Sequence, residues 1–254
     1  MVSISNPSSR ERDAALSNGE TTKYTFRMMR HDLSWELHRY VHRLYIGKLQ
    51  VILFTPGFQA TVVYRLGHWL LPYTKKSGLG IPVSLLMAIL RRFTEIITGI
   101  YISPEAEIGA GLLMLHFGGI VVGPAKIGRN CELFHGVTLG VNKSGETGVP
   151  EIGDRVYLAP GAKILGAVTV GNDVCIGANA VLATSVQDRW VMMGNPVRRI
   201  TKKGSFDMVI YPGMEFDPDR QRSMEAMAAA RVAEESSDRL PVYAEYTDGR
   251  SPRL

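Results

Sequence analysis

Residues Ile152–Gln187 read IGDRVY LAPGAK ILGAVT VGNDVC IGANAV LATSVQ, six blocks of six. The first residue of each block is Ile152, Leu158, Ile164, Val170, Ile176 or Leu182. The fifth is Val156, Ala162, Val168, Val174, Ala180 or Val186. A period of six matches neither the 3.6 of a helix nor the 2 of a simple strand. It is the repeat of a parallel β-helix, in which three short strands make one coil. The aliphatic first residue fills the interior, and the small fifth residue points in where space is tight. Gly or Ala in second place, in five of the six blocks, permits a tight corner.

The same period is present upstream. Ile102, Ile108 and Met114 open three blocks; one extra residue then shifts the frame, and Val121, Ile127, Leu133 and Leu139 open four more. The pattern predicts about thirteen blocks and four to five coils. Residues 141–151, which include Gly145, Gly148 and Pro150 and no aliphatic repeat, read as a loop extruded from the coils.

Before Ile100 the spacing is helical. Tyr24–Ile46 reads as a helix whose apolar face holds Phe26, Leu33, Leu37, Val41, Leu44 and Tyr45. Thr55–Leu71 reads as a second helix with Pro56 in its first turn. Ile81–Ile100 reads as a third, and its apolar run Ile81–Leu90 as buried, too short to span a bilayer. The expected domains are a disordered arm over 1–22, a helical region over 23–100, the β-helix over 101–203 and a partly helical tail over 204–254. The tail's helix is expected within RSMEAMAAARVAEE (Arg222–Glu235).

Charge and cysteines narrow the class. The net charge of +5 is uneven: from Gly204 on, ten acids face six bases, which leaves +9 on the first 203 residues. A basic body suits an anionic cofactor or surface. No basic stripe with interleaved aromatics is present, so nucleic acid is not expected as a partner. Cys131 and Cys175 have no metal-ligand spacing, and no metal is expected. His38 and His42 stand at i,i+4, a helical metal spacing, but without a third ligand they read as a solvated face. The first twenty residues lack an apolar signal core, and a cytoplasmic location without a membrane span is expected.

One histidine breaks the apolar run GLLMLHFGGIVVG (Gly111–Gly123). His116 is third in the block opened by Met114, and His135 is third in the block opened by Leu133, one coil on. The two should stack, about 5 Å apart in backbone, outside the packed interior. Histidine is the side chain suited to general-base work at neutral pH.

The combination of H-x-GGIVVG, GVTLG, GAKILG and GNPVRRI resembles the serine O-acetyltransferase family, over roughly Thr55–Lys203. The resemblance implies a left-handed parallel β-helix with a helical N-terminal region. It implies a homotrimer or dimer of trimers with active sites between neighbouring prisms, and acetyl transfer from acetyl-CoA to a small-molecule hydroxyl acceptor, L-serine. His116 matches the family's catalytic base, and His135 is expected to share the catalytic site or bind substrate. Gly140, Gly161 and Ala162 fall where the family contacts the cofactor through backbone, and Arg198, Arg199, Lys202 and Lys203 cluster where phosphates would be neutralised.

The chain also departs from the family. Leu115 and Tyr101 stand where acids are expected, and Val149 where a loop histidine is expected. Those departures favour a second acceptor class, a sugar hydroxyl. A non-catalytic trimeric binding module is the other alternative. Asp154, third in the block after the loop, could stack above His135 and orient it. The family's docking into cysteine synthase uses a terminal isoleucine, whereas this chain ends Ser251-Pro252-Arg253-Leu254, so that partner is not expected.

Overall fold

The computed structural model describes residues 24–74, 80–141 and 148–237. The arm over 1–22, the centre of the extruded loop and the last seventeen residues lie outside them. Residues up to Met214 form one compact unit, and Glu215 onward form a second.

Among the described residues the first unit holds four helices, α1 (Phe26–Leu44), α2 (Lys48–Phe54), α3 (Pro56–Thr74) and α4 (Gly80–Thr98), then fifteen short strands, β1 (Ile100–Ile102) to β15 (Arg198–Thr201). The sequence reading missed α2, a seven-residue helix whose last carbonyls are capped by Gln59 Nε2 at Ile52 and Leu53. The second unit contains α5 (Pro218–Ser237), where the tail helix was expected.

The strands coil into a parallel solenoid of three faces. One face is β1-β4-β7-β10-β13, the second β2-β5-β8-β11, and the third β3-β6-β9-β12-β14, with β15 (Arg198–Thr201) returning antiparallel beside β14 (Val191–Met193). The interior is built from three aliphatic stacks. Ile102, Val122, Leu139, Ile164 and Leu182 line the first face; Ile108, Ile127, Ile152 and Val170 the second; Met114, Leu133, Leu158, Ile176 and Met192 the third. All fourteen are buried, as are the fifth-position residues from Val156 to Val186. Each coil buries its apolar residues only against its neighbours, the general logic of a solenoid.

The frame differs from expectation at one place. Val122, not Val121, continues the interior stack; Val121 is exposed between buried Ile120 and Val122. The corner after Met114 is two residues longer than the repeat, and the next block is one shorter. The added length is taken up by His116, Gly118 and Gly119, all at positive φ.

The helices close the bottom of the solenoid, where the first coil would otherwise present unpaired backbone. Tyr64 Oη donates to Ala106 O, Arg65 donates to Ile108 O and Gly109 O, Arg39 donates to Gly111 O, and Tyr40 Oη bonds Met114. The arginines are held in turn by buried carboxylates: Arg65 by Glu36 and Asp32, Arg39 by Glu132. So α1 buries Met29, Asp32, Glu36, Arg39 and Tyr40; of the apolar face read from spacing, Leu37 and Val41 pack half-buried on the core and Leu33 is half-buried, while Phe26, Leu44 and Tyr45 are exposed. The reason is the edge itself, which demands donors. The expected burial of Ile81–Leu90 is also overturned. Ile81, Leu85, Leu86 and Ile89 of α4 are exposed, while Ser84, Met87, Arg91 and Thr94 line the cavity against α3. No helix among the described residues is long and apolar enough to cross a membrane.

Candidate active site

The corner between the third and first faces carries the histidines. Pairing of Met114 with Leu133 and of Leu115 with Phe134 puts His116 beside His135 on successive coils. Both are exposed, and their rings lie edge to face with centroids 6.2 Å apart. Phe134, packed on Tyr157, closes one flank at 5.7 Å from the His116 ring. His116 has φ +52°, a left-handed conformation that costs a non-glycine residue energy and that collects at functional sites.

Above the pair the corner is built from small left-handed residues. Gly119, Gly136 and Gly161 have φ of 66°, 71° and 75°, and Asn179 completes the column at 55°. The upper three are tied to the coil below: Gly136 N–H to Gly118 O, Gly161 N–H to His135 O, Asn179 N–H to Pro160 O. A side chain at Gly161 would overlap Asn179 Oδ1. Glycines thus form the lower three rungs of the column, and the Asn179 side chain lies over Gly161 at its top. From β3 (Leu113–Leu115) to β14 is four strand steps, a climb of ~19 Å at about 4.8 Å per step. At its top β15 sets Arg198 against Met193 and stacks the Arg199 guanidinium on Trp190 at 4.8 Å; Lys202 and Lys203 follow, exposed.

The other expected cofactor residues are placed less uniformly. Gly161 is in the column. Ala162, next to it, turns its methyl into the core and spends its N–H on Ala159 O while its C=O accepts from Thr138. Gly140 sits at the far end of β7 (Thr138–Gly140), its carbonyl accepting from Gly166. Asp154 does not stack above His135. The coil above places Pro160 there, and Asp154 binds the backbone N–H and guanidinium of Arg129 on another corner. The loop excursion adds no side to the prism, because β8 (Glu151–Ile152) resumes directly over β5 (Lys126–Ile127).

Leu115 is buried in the apolar cluster that also holds Tyr40, Phe58 and Phe134, where an unpaired carboxylate would be desolvated. Tyr101 lies on the outer face of the first sheet, beside Val121. Lys163 was not singled out by sequence. Its ammonium donates to Gly136 O and to Thr138 Oγ1 at 3.0 Å, next to His135. His38 and His42 are exposed on α1, and no group of three metal-binding side chains is present among the described residues.

Residues 150–184 match the bacterial transferase hexapeptide family (six repeats). The chain is 37% identical over 175 residues to serine acetyltransferase of Helicobacter pylori strain 26695, a match covering 67% of this chain and 98% of that one. This chain belongs to the serine acetyltransferase family. The Mycobacterium tuberculosis serine acetyltransferase is 40% identical over 152 residues, 58% of this chain and 62% of that one. Among solved structures, Brucella abortus serine acetyltransferase in complex with coenzyme A superposes with a TM-score of 0.63 at 30% identity, covering 77% of this chain and 74% of that one. Neisseria gonorrhoeae serine acetyltransferase in complex with serine gives 0.61 at 28%, covering 74% and 72%. Within the serine acetyltransferase frame, the histidine corner and the glycine column are the features of this chain that bear on chemistry.

Proposed function

We propose that this protein transfers the acetyl group of acetyl-CoA to the hydroxyl of L-serine, with His116 as general base. The observation that carries the reading is the corner geometry: an exposed histidine at the foot of a column of glycines, capped by Asn179, on a corner that ends, ~19 Å up, in a basic strand. That length suits an extended pantetheine arm and its pyrophosphate. The thioester would lie at the histidines and the phosphates at Arg198, Arg199 and Lys202. Gly161 would let the arm approach the backbone closely, with Gly140 and Ala162 in supporting positions.

A neutral His116 imidazole takes the acceptor's hydroxyl proton as its oxygen bonds the thioester carbon. The C=O electron pair moves to oxygen, giving a tetrahedral oxyanion held by nearby N–H donors. Collapse reforms C=O and breaks C–S; the imidazolium returns the proton to the departing thiolate. The products are the O-acetyl ester and free CoA. His135 would bind the acceptor or share the base's surroundings. The family likeness also supports left-handed coiling and a homotrimeric unit, with the site completed by a neighbouring prism.

A second reading, transfer to a sugar hydroxyl, is favoured by neutral Leu115, Tyr101 and Val149 at the positions where charged groups would recognise an amino acid. Thiol release from acetyl-CoA, compared for L-serine and a panel of sugars, separates the two. Turnover with any acceptor that is lost in His116→Ala supports the base; equal rates in both proteins refute it. CoA binding without turnover of any acceptor would mark a binding module.

A further inference from the structure

We infer that the Tyr40 hydroxyl, seated against Gly57, is a positioning residue that holds the His116 corner in its working conformation. The inference rests on the reading of His116 as base. Strand β3 is the edge of its sheet, bonded only to β6 (Glu132–Phe134). Leu113 N–H points to that partner and bonds Cys131 O. Met114 faces the other way, toward the open edge, and both of its backbone groups are taken by one side chain. Its N–H donates to Tyr40 Oη at 2.8 Å, and Tyr40 Oη donates to its C=O at 3.2 Å. The same hydroxyl thus serves as donor and acceptor to a single residue, two positions before His116.

The seat is tight on every side. Tyr40 is completely buried, with its ring edge-on to Phe58. A Cβ on Gly57 would overlap the Met114 carbonyl oxygen and lie 2.6 Å from Tyr40 Oη, so α3 can approach β3 only through a glycine. On the far side of Met114 the chain turns at once through His116 at φ +52° and Gly118 at +112°. Conformations of this kind persist only where the surroundings over-determine them. The downstream corner is tied by Gly118 O to Gly136 N–H; the upstream anchor is the Tyr40 clamp. Reaction geometry is sensitive to displacements near 1 Å. A clamp two residues from the base therefore acts on the reaction through His116 without touching substrate.

The test is a double-mutant cycle on the full-length enzyme, read by thiol release from acetyl-CoA with its best acceptor. Tyr40→Phe keeps the ring and removes one oxygen. It should lower kcat on the order of 10- to 100-fold, leave KM for acetyl-CoA within about twofold, and speed amide hydrogen exchange at Met114–Phe117 while the upper coils stay protected. In a His116→Ala background the same change should cost less than about twofold, because the group it positions is gone. Gly57→Ala, which crowds the clamp from the other side, should reproduce the kcat loss and the local exchange. The inference is overturned if Tyr40→Phe keeps kcat within about twofold of wild type, or if its loss is equally large in both backgrounds. If His116→Ala alone turns over at the wild-type rate, the base reading fails and the catalytic role of the clamp falls with it. Unchanged exchange in Tyr40→Phe, with His116→Ala inactive, refutes the clamp and leaves the base standing.

Discussion

Arg65→Met tests the closure of the solenoid's first coil. Arg65 is fully buried and donates to Glu36 Oε1 at 3.2 and 2.5 Å, to Ile108 O at 2.6 Å and to Gly109 O at 2.7 Å, with Asp32 at 3.3 Å. Methionine fills much of the volume and supplies no donor. The loss leaves a fully buried carboxylate without its cation and two edge carbonyls without partners. Breaking a buried pair from one side costs about 3–5 kcal/mol. Against a total stability of about 5–15 kcal/mol, that is a large fraction, and for a protein of this size it lowers Tm by roughly 6–20 °C. The loss should depend on pH. Burial already pushes the Glu36 carboxyl up to about 6 with Arg65 in place. Without the arginine it rises further, so the native state binds a proton that the unfolded state releases. The penalty is then small below the unfolded value near 4.5 and grows as pH rises toward the folded value. Denaturant unfolding at pH 5 and pH 8 should show the smaller destabilisation at pH 5. A loss under about 1 kcal/mol at pH 8, or one independent of pH, would refute the argument that Arg65 neutralises a buried acid at an otherwise open edge.

Other outcomes follow from the same geometry. His116→Ala should reduce kcat by about 10²–10⁴-fold with acetyl-CoA affinity unchanged by calorimetry. Arg199→Gln should raise Kd for acetyl-CoA several-fold and flatten its salt dependence, measured by titration at two ionic strengths. Leu133→Ala, at the centre of the third stack, should cost about 2–5 kcal/mol in denaturant unfolding. The thiols of Cys131 and Cys175 are buried and pushed up to about 12 and about 11 by desolvation. Both should resist a thiol reagent at pH 8 until the protein is unfolded, which also keeps them silent in the CoA-release assay.

The solenoid was legible because its information is local. A residue's place in its block decides whether it points inward, and from Ile152 to Val186 every assignment held. The frame slipped at Val121 because the corner carrying His116 takes two extra residues, and glycines absorb them without announcing how many. The histidine pair was legible for the same local reason, since equal offsets in consecutive coils must stack. What could not be read was the work of the helices. Hydrophobic spacing finds only the margin of α1's buried face, Leu37 and Val41, because the centre of that face answers the polar edge of a strand some seventy residues away. Tyr40, Gly57 and Arg65 look unremarkable in the sequence and acquire meaning only against Met114 and Ile108. Asp154 failed as an orienting group because the loop's return point, not the block count, sets which corner it occupies.

The two ends of the solenoid are closed by different means, helices below and the β15 return above, and the base sits one residue beyond the strand that the helices cap. Everything between is repeat. Inserting or deleting one eighteen-residue coil above His135 would move the basic strand by ~4.8 Å along the corner and leave the helical seat of His116 untouched. Reactive centre and cofactor reach are thus separable in this architecture, and the distance from base to phosphate site is quantised in whole turns. Lineages that changed the length of the carrier molecule could follow it by gaining or losing rungs, without rebuilding the chemistry.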